Sequence, residues 1–269
     1  MTQIAKKTVL ITGGAQGLGR LLAERCVQHG AAKVILWDIN EETLQETAQA
    51  LGGQGTTIES AQVNVQDSAQ IAAAVAKALE TQAVDILINN AGIVVGKPLS
   101  EHSHDDINRT IGVNVLGVMH TTRAFLPAIQ AHGGHIVNIA SASGYLPLPN
   151  LTTYAASKWA CLGFSESLRV ELRDIPDVHI TTVCPSYINT GMFDGVTAPI
   201  ATPILDPDYV TDKIIAAIQA NKAVLRMPRI VNLVPLCYTL LPQRLFDLVC
   251  GRWLGIYRAM DLFKGHGKK

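Results

Sequence analysis

The sequence predicts a doubly wound α/β fold, a parallel sheet with helices on both faces, in a single domain. Three observations carry this expectation. Short apolar runs alternate with longer segments of helical period from about residue 8 to residue 227. The first run ends in a glycine cluster that leads straight into a helix. The connections are short, with no repeat or linker, in a 269-residue chain that is 48% hydrophobic and 16% charged. That composition excludes a disordered or highly charged chain.

In order, residues 8–12 (TVLIT) read as a buried strand. Residues 17–30 read as a helix with Leu18, Leu21, Leu22, Cys26 and Val27 on one stripe. Residues 33–37 form a second strand, closed by Asp38, and 41–51 a helix charged on one face. A third strand spans 58–65, a helix of small residues 68–81, and a fourth strand 84–88. A long helix over 105–132 precedes the strand 135–139, and a second long helix covers 152–173. The strand 178–183 opens a loop holding Pro185, Pro199, Pro203 and Pro207. A helix at 209–220 and a strand at 224–227 complete the domain, 1–227, leaving a C-terminal extension, 228–269.

Formal net charge is zero, which gives no case for nucleic acid. The zero hides an asymmetry: residues 1–220 carry 13 Lys and Arg against 20 Asp and Glu, and residues 221–269 carry 9 against 2. The five cysteines (Cys26, Cys161, Cys184, Cys237, Cys250) show no zinc or paired spacing, so reduced thiols in a cytoplasmic protein are expected. His102 and His104 lie two apart in a polar stretch and no metal site is expected. The N-terminal segment has no apolar signal-like core and no run of 18 apolar residues occurs, so neither a signal peptide nor a spanning helix is expected.

Gly13, Gly17 and Gly19 allow backbone to approach a pyrophosphate at a helix N-terminus; a tight turn without ligand is the plainer alternative. Asp38, 19 residues after Gly19, is placed to accept ribose hydroxyls and to repel a 2′-phosphate, or is simply a solvated strand end. With no Lys or Arg at 39 or 40, and Gln16 in the loop, the pattern favours NAD over NADP.

The spacing T-G-x-x-x-G-x-G at residues 12–19 resembles the short-chain dehydrogenase/reductase family. Asn89-Asn90-Ala91-Gly92, Asn114, Ser141 and Tyr154-Ala155-Ala156-Ser157-Lys158 match that family in the same order. The resemblance implies a Rossmann-like fold and an NAD site comprising Gly13, Gln16, Gly17, Leu18, Gly19, Asp38, Ile39, Asn64, Val65, Asn89, Asn90, Ala91, Gly92, Tyr154, Lys158, Pro185, Ile188 and Thr190. Two positions depart from the family pattern: Asn64 replaces an acidic residue, and Ser186 replaces the glycine after Pro185. For Thr190 a helix N-cap is the alternative.

Tyr154 and Lys158 are four apart on a helix and share a face. A phenol titrates near 10 and is a poor base at neutral pH, but a neighbouring ammonium favours phenolate. Taken alone, the pair fits surface decoration better than a site. The resemblance assigns Tyr154 as general acid/base, Ser141 rather than Ser143 as the partner of the substrate oxygen, Lys158 as a ribose ligand and Asn114 as support for a water relay.

In the extension, Leu245, Leu248, Val249, Trp253, Ile256 and Tyr257 recur at near-helical spacing between Arg244, Arg252 and Arg258. Three readings stand: substrate-lid packing, peripheral docking on an anionic lipid surface, and oligomer contact. Residues 36–40, 122–127 and 227–228, with the extension, resemble the retinol and 17β-hydroxysteroid dehydrogenase branch. That implies an NAD-dependent oxidoreductase acting on a small apolar alcohol or carbonyl, such as a steroid, retinoid or long-chain alcohol. It also implies a homodimer or homotetramer pairing through 105–132 and 152–173. A 3-oxoacyl or sugar-type oxidoreductase and a non-catalytic NAD-binding scaffold are the rivals.

Overall fold

A computed structural model of the chain describes residues 1–53, 55–80, 82–200 and 202–265. Its strands are β1 (Thr8–Thr12), β2 (Lys33–Asp38), β3 (Thr57–Gln62), β4 (Ile86–Asn89), β5 (Gly134–Ile139), β6 (Val178–Pro185) and β7 (Val224–Met227). All pair in parallel, in the order β3-β2-β1-β4-β5-β6-β7. The helices of the domain are α1 (Gly17–Gln28), α2 (Glu41–Leu51), α3 (Ser68–Leu79), α4 (His104–Ile111), α5 (Val118–His132), α6 (Thr152–Glu171) and α7 (Pro207–Gln219).

Central strands are apolar on both sides because both faces are covered. Side chains alternate across the sheet. Val9 and Ile11 of β1 join Leu22 and Cys26 of α1 and Ile214 and Ile218 of α7 in one core cluster. Leu10, between them, joins Phe125 and Ile129 of α5 and Leu168 of α6 in the other. β3 is an edge strand whose residues are partly or fully exposed, which explains its polar sequence.

The order reverses between β1 and β4, so their carboxyl ends diverge around a crevice at this switch point. In the register, Thr12 lies opposite Asn89 and Trp37, so the glycine loop, Asn89–Gly92 and Asp38 emerge side by side. The site is placed by topology before any side chain is considered.

Several boundaries differ from the sequence expectation. The helix expected over 105–132 is interrupted by a π-helical stretch, Gly112–Gly117, between α4 and α5. The strand expected at 58–65 stops at Gln62, and the one at 84–88 is shifted to Ile86–Asn89. The helix expected at 68–81 ends at Leu79, and Thr81 lies outside the described residues. Gly30, at φ +75°, lies beyond α1 rather than within it.

The extension contains two short helices, α8 (Val234–Leu240) and α9 (Gln243–Phe246), then a π-helical turn over Asp247–Trp253. The near-helical spacing of 243–257 corresponds to a helical stretch that ends at Trp253, with Gly255 at φ +72° beyond it. Phe246, Cys250 and Ile256 pack on Leu146. Ala259 and Met260 are buried in a cluster with Tyr154 and Tyr187. Residues 266–269 lie outside the described residues.

Candidate active site

The turn from β1 into α1 forms the floor of a cleft of about 440 Å³. Gly13 has φ +65°, and a Cβ there would stand 2.9 Å from the Ala91 Cα. A side chain at Gly19 would run into the Gly13 carbonyl. Only glycine permits this close passage of loop, helix and β4 end. Asn90 fastens it, donating from Nδ2 to the carbonyls of Thr12 (3.1 Å) and Gly13 (2.9 Å). Thr12 Oγ1 accepts the backbone N–H groups of Asn90 and Ala91, both at 3.1 Å.

α1 begins with no side-chain cap and no acidic residue in its first turn. Its first N–H groups therefore face the cleft without a competing anion, which suits a pyrophosphate. Asp38 stands along the same cleft, accepting from the N–H groups of Ala15 and Asn40, each at 3.1 Å. Gln16, Gly17, Leu18, Ile39, Asn64, Val65, Ala91 and Gly92 line it between these points. Ser141, Tyr154, Lys158, Pro185, Ile188 and Thr190 line it as well, Thr190 close to Gly17.

Two expected cofactor contacts fall behind the wall. Gly19 is buried in α1 and does not line the cleft. Asn89 is buried as well; its Nδ2 donates to Asn138 Oδ1 (2.8 Å) and Thr122 Oγ1 (2.9 Å), holding β4 to β5 and α5. Thr190 caps no helix; it lies in a turn after β6. Val63, Gln66, Arg109, Met192 and Phe193 line the cleft without having been singled out from sequence. They arrive from α4, the β3–α3 loop and the long loop after β6, none of which carries a compact motif.

Tyr154 and Lys158 sit in the first turns of α6, both at least nine-tenths buried. Lys158 Nζ lies 5.7 Å from the Tyr154 ring centre and donates to the Ile139 carbonyl at 2.9 Å. Gly92 is its neighbour, the Nζ lying at ordinary van der Waals distance, 3.6 Å, from where a Cβ would stand. Ser141 caps the short turn after β5. Its Oγ accepts from Ser143 Oγ (2.8 Å) and Ser143 N (3.2 Å). Its own proton has a stretched 3.5 Å partner in the Pro185 carbonyl and a second partner in the Tyr154 phenol, so this hydroxyl acts as a donor toward the site. Both serines thus belong to one unit, with Ser143 orienting Ser141.

Asn114, in the π-helical stretch, is fully buried and does not reach the cleft. Its Oδ1 accepts from Ile93 N, and its Nδ2 donates to Ile93 O, both at 2.9 Å, and to Ser157 Oγ at 3.0 Å. It anchors the segment after Gly92 against α6. A π-helical turn at this point aims a side chain that a regular helix would turn elsewhere.

The electrostatics depart from the simplest expectation. Burial pushes the Tyr154 phenol up to about 12, opposed by its hydrogen bond with Ser141. Burial also lowers the Lys158 ammonium. The ammonium does not outweigh desolvation, so the phenol of the cofactor-free protein is firmly protonated at neutral pH. It is a proton donor held where the cleft meets a smaller apolar cavity.

A cleft with a glycine-lined anion seat and a buried Tyr–Lys–Ser group defines a nicotinamide-dinucleotide oxidoreductase. The family model for short chain dehydrogenases matches residues 7–200, and the chain belongs to that family. It is 38% identical over 275 residues to human epidermal retinol dehydrogenase 2, covering 99% of this chain and 88% of that protein. It is 34% identical over 245 residues to human estradiol 17-beta-dehydrogenase 11, covering 90% and 81%. A Burkholderia phymatum short chain dehydrogenase/reductase solved with NAD superposes with TM-score 0.80 at 29% identity, covering 94% of this chain and 97% of that one. A Burkholderia cenocepacia short chain dehydrogenase solved with NADP gives 0.79 at 27% identity, covering 94% and 99%. Among the described residues, no helix is long and apolar enough to cross a membrane, and no cluster of three or more His, Cys, Asp or Glu could hold a metal.

Proposed function

We propose that this chain interconverts an apolar alcohol and its carbonyl with NAD as the hydride partner and Tyr154 as the proton-transferring group. The observation that carries the reading is the position of Tyr154 and Ser141 at the junction of the dinucleotide cleft and an uncharged, largely apolar cavity, with Lys158 lining the cleft beside them. When bound, the dinucleotide supplies or accepts hydride.

The residues of the chain do the rest. The glycine loop and the open N-terminus of α1 hold the pyrophosphate, and Asp38 takes the adenosine ribose hydroxyls. Lys158 orients the nicotinamide-side ribose. Ser141, its oxygen fixed by Ser143, donates to the substrate oxygen and steadies developing charge there. Tyr154 gives its proton to that oxygen in reduction and takes it back in oxidation. Asn114 is a positioning residue that keeps Gly92 and Ile93 against α6.

Asp38 supports NAD. Its carboxylate is tied to backbone N–H groups, and it forms no ion pair among the described residues, so a 2′-phosphate would meet an uncompensated negative charge. The apolar cavity and the relatives named for retinol and estradiol support a lipidic alcohol over a polyol or acyl thioester. An exposed stripe on α6 (Trp159, Val170), with Leu116 before α5, supports a homodimer or homotetramer through these helices. Exposed Leu233, Leu236, Leu240, Leu245 and Trp253 beside exposed Arg229, Arg244, Arg252 and Arg258 support peripheral contact with an anionic lipid surface through 228–269. None of these four arginine side chains forms an ion pair among the described residues.

The test is NADH formation on retinol, estradiol, 1-dodecanol and sorbitol, repeated with NADP and with Asp38→Ala. Turnover of a lipidic alcohol should exceed that of sorbitol, NAD should exceed NADP by at least about tenfold, and Asp38→Ala should narrow that gap. Higher turnover with NADP, or on sorbitol, contradicts the reading.

A further inference from the structure

A second cavity, of about 30 Å³, shares Ser141, Tyr154, Ser186 and Phe193 with the dinucleotide cleft. Six hydroxyl-bearing residues line it: Ser141, Ser143, Tyr154, Ser186, Tyr187 and Thr202. The remainder of the lining is apolar and none of it is charged. Ser141, Ser143 and Tyr154 are accounted for by the proton-transfer group. Ser186 and Tyr187 are not.

Ser186 Oγ and Tyr187 Oη are both sealed from solvent and have no hydrogen-bond partner in the protein. Tyr187 is 8% exposed and packs edge-on against Phe193, 5.2 Å between ring centres, in the same apolar cluster as Tyr154 and Met260. A phenylalanine would fill the same space without burying an unpaired oxygen, which is destabilising. Two such oxygens on consecutive residues, lining one cavity next to the reacting end of the site, are left for a ligand to satisfy.

We propose that Ser186 and Tyr187 form a second polar anchor for the substrate. The substrate end held here is uncharged, mainly apolar, and carries a hydrogen-bonding oxygen besides the one held by Ser141 and Tyr154. This deepens the proposed function and rests on its placing of the reacting oxygen. A hydroxyl on that end satisfies both residues, and a carbonyl oxygen accepts from both. A plain hydrocarbon chain leaves both oxygens unpaired, so the site discriminates against it. A carboxylate or phosphate finds no cation in the lining to offset its desolvation.

The probes are cyclohexanol and its cis-1,2- and cis-1,4-diols, each added to dinucleotide-saturated protein. Binding is read as the shift of the thermal unfolding midpoint, which needs no turnover, and kcat/KM is measured alongside. In the wild type at least one diol should shift the midpoint more than cyclohexanol does. Tyr187→Phe should reduce that preference by about tenfold in affinity, without lowering the ligand-free midpoint. Ser186→Ala should act in the same direction. A diol preference lost in Tyr187→Phe supports the anchor even if turnover does not depend on Tyr154. Equal shifts for all three alcohols, a preference that survives Tyr187→Phe, or a ligand-free midpoint that falls in that variant overturns the anchor, even where alcohol oxidation is seen. In that last case the hydroxyl serves folding rather than substrate.

Discussion

Tyr154 is a side chain on which burial and hydrogen bonding pull in opposite directions, and burial wins. Its identity and its spacing from Lys158 were readable from sequence, but the sign of its shift was not. Desolvation depends on how completely Phe193, Met260 and their neighbours close over the ring, and the one-dimensional pattern does not state that. Another buried group shows the same effect more cleanly. His135 of β5 is fully buried, with Nε2 2.8 Å from Thr181 Oγ1 and Nδ1 3.0 Å from Thr2 Oγ1. Burial, with a contribution from His179, depresses it to about 3 from 6.5. The folded protein therefore keeps His135 neutral while the unfolded chain takes up a proton below pH 6.5. The stability this provides is present above that pH and is lost as pH falls toward 3. Denaturant titrations should show the unfolding free energy of the wild type declining over this window more steeply than that of His135→Gln. The difference should reach a few kcal/mol, on the order of 1.4 kcal/mol per pH unit for one proton. Parallel curves would contradict a neutral buried imidazole.

At the scale of elements, the central strands announce themselves because they are apolar on both faces and short. Helix starts are marked where a side chain caps them: Asn40 for α2, Asp67 for α3, Asp206 for α7, and Ser103 with Asp106 as a capping box for α4. α1 is the instructive exception. It has no side-chain cap, and the glycines at its start make room where an anion would provide one. The break at Gly112–Gly117 had no sequence signal. One wider turn leaves the apolar period of 105–132 nearly intact, and its purpose is visible only in the bonds of Asn114 to Ile93 and Ser157. The irregular path of the extension was not legible for a related reason: its spacing is near-helical throughout, while Gly255 takes a left-handed conformation that separates the π-helical turn from the next.

At the scale of the molecule, topology brings distant segments to one end of the sheet, and the extension closes over them. Lys264 N donates to the Asp194 carbonyl at 3.0 Å and Thr197 N to the Ala259 carbonyl at 3.0 Å, so the last described residues are stitched to the loop after β6. Ile256 of the extension lines the smaller cavity, while elsewhere the extension exposes leucines, Trp253 and arginines that form no ion pair among the described residues. The lid and the lipid readings of this segment concern different side chains and do not compete. Flotation with phosphatidylcholine vesicles, with and without phosphatidylserine, tests the lipid reading. The protein should float with the anionic vesicles at low salt. Arg244→Glu, Arg252→Glu and Arg258→Glu together should lower that partition by more than about tenfold. Equal flotation with neutral and anionic vesicles, or none with either, contradicts lipid docking.

The proposal that Tyr154 transfers the proton is most directly tested with Tyr154→Phe, whose ring fills the same space without the oxygen. In one preparation, dinucleotide affinity is measured by fluorescence titration and turnover by NADH formation. Affinity should stay within a few-fold of the wild type while kcat falls by at least about 100-fold. Turnover that persists near the wild-type rate, with the dinucleotide bound, would contradict the proposed chemistry.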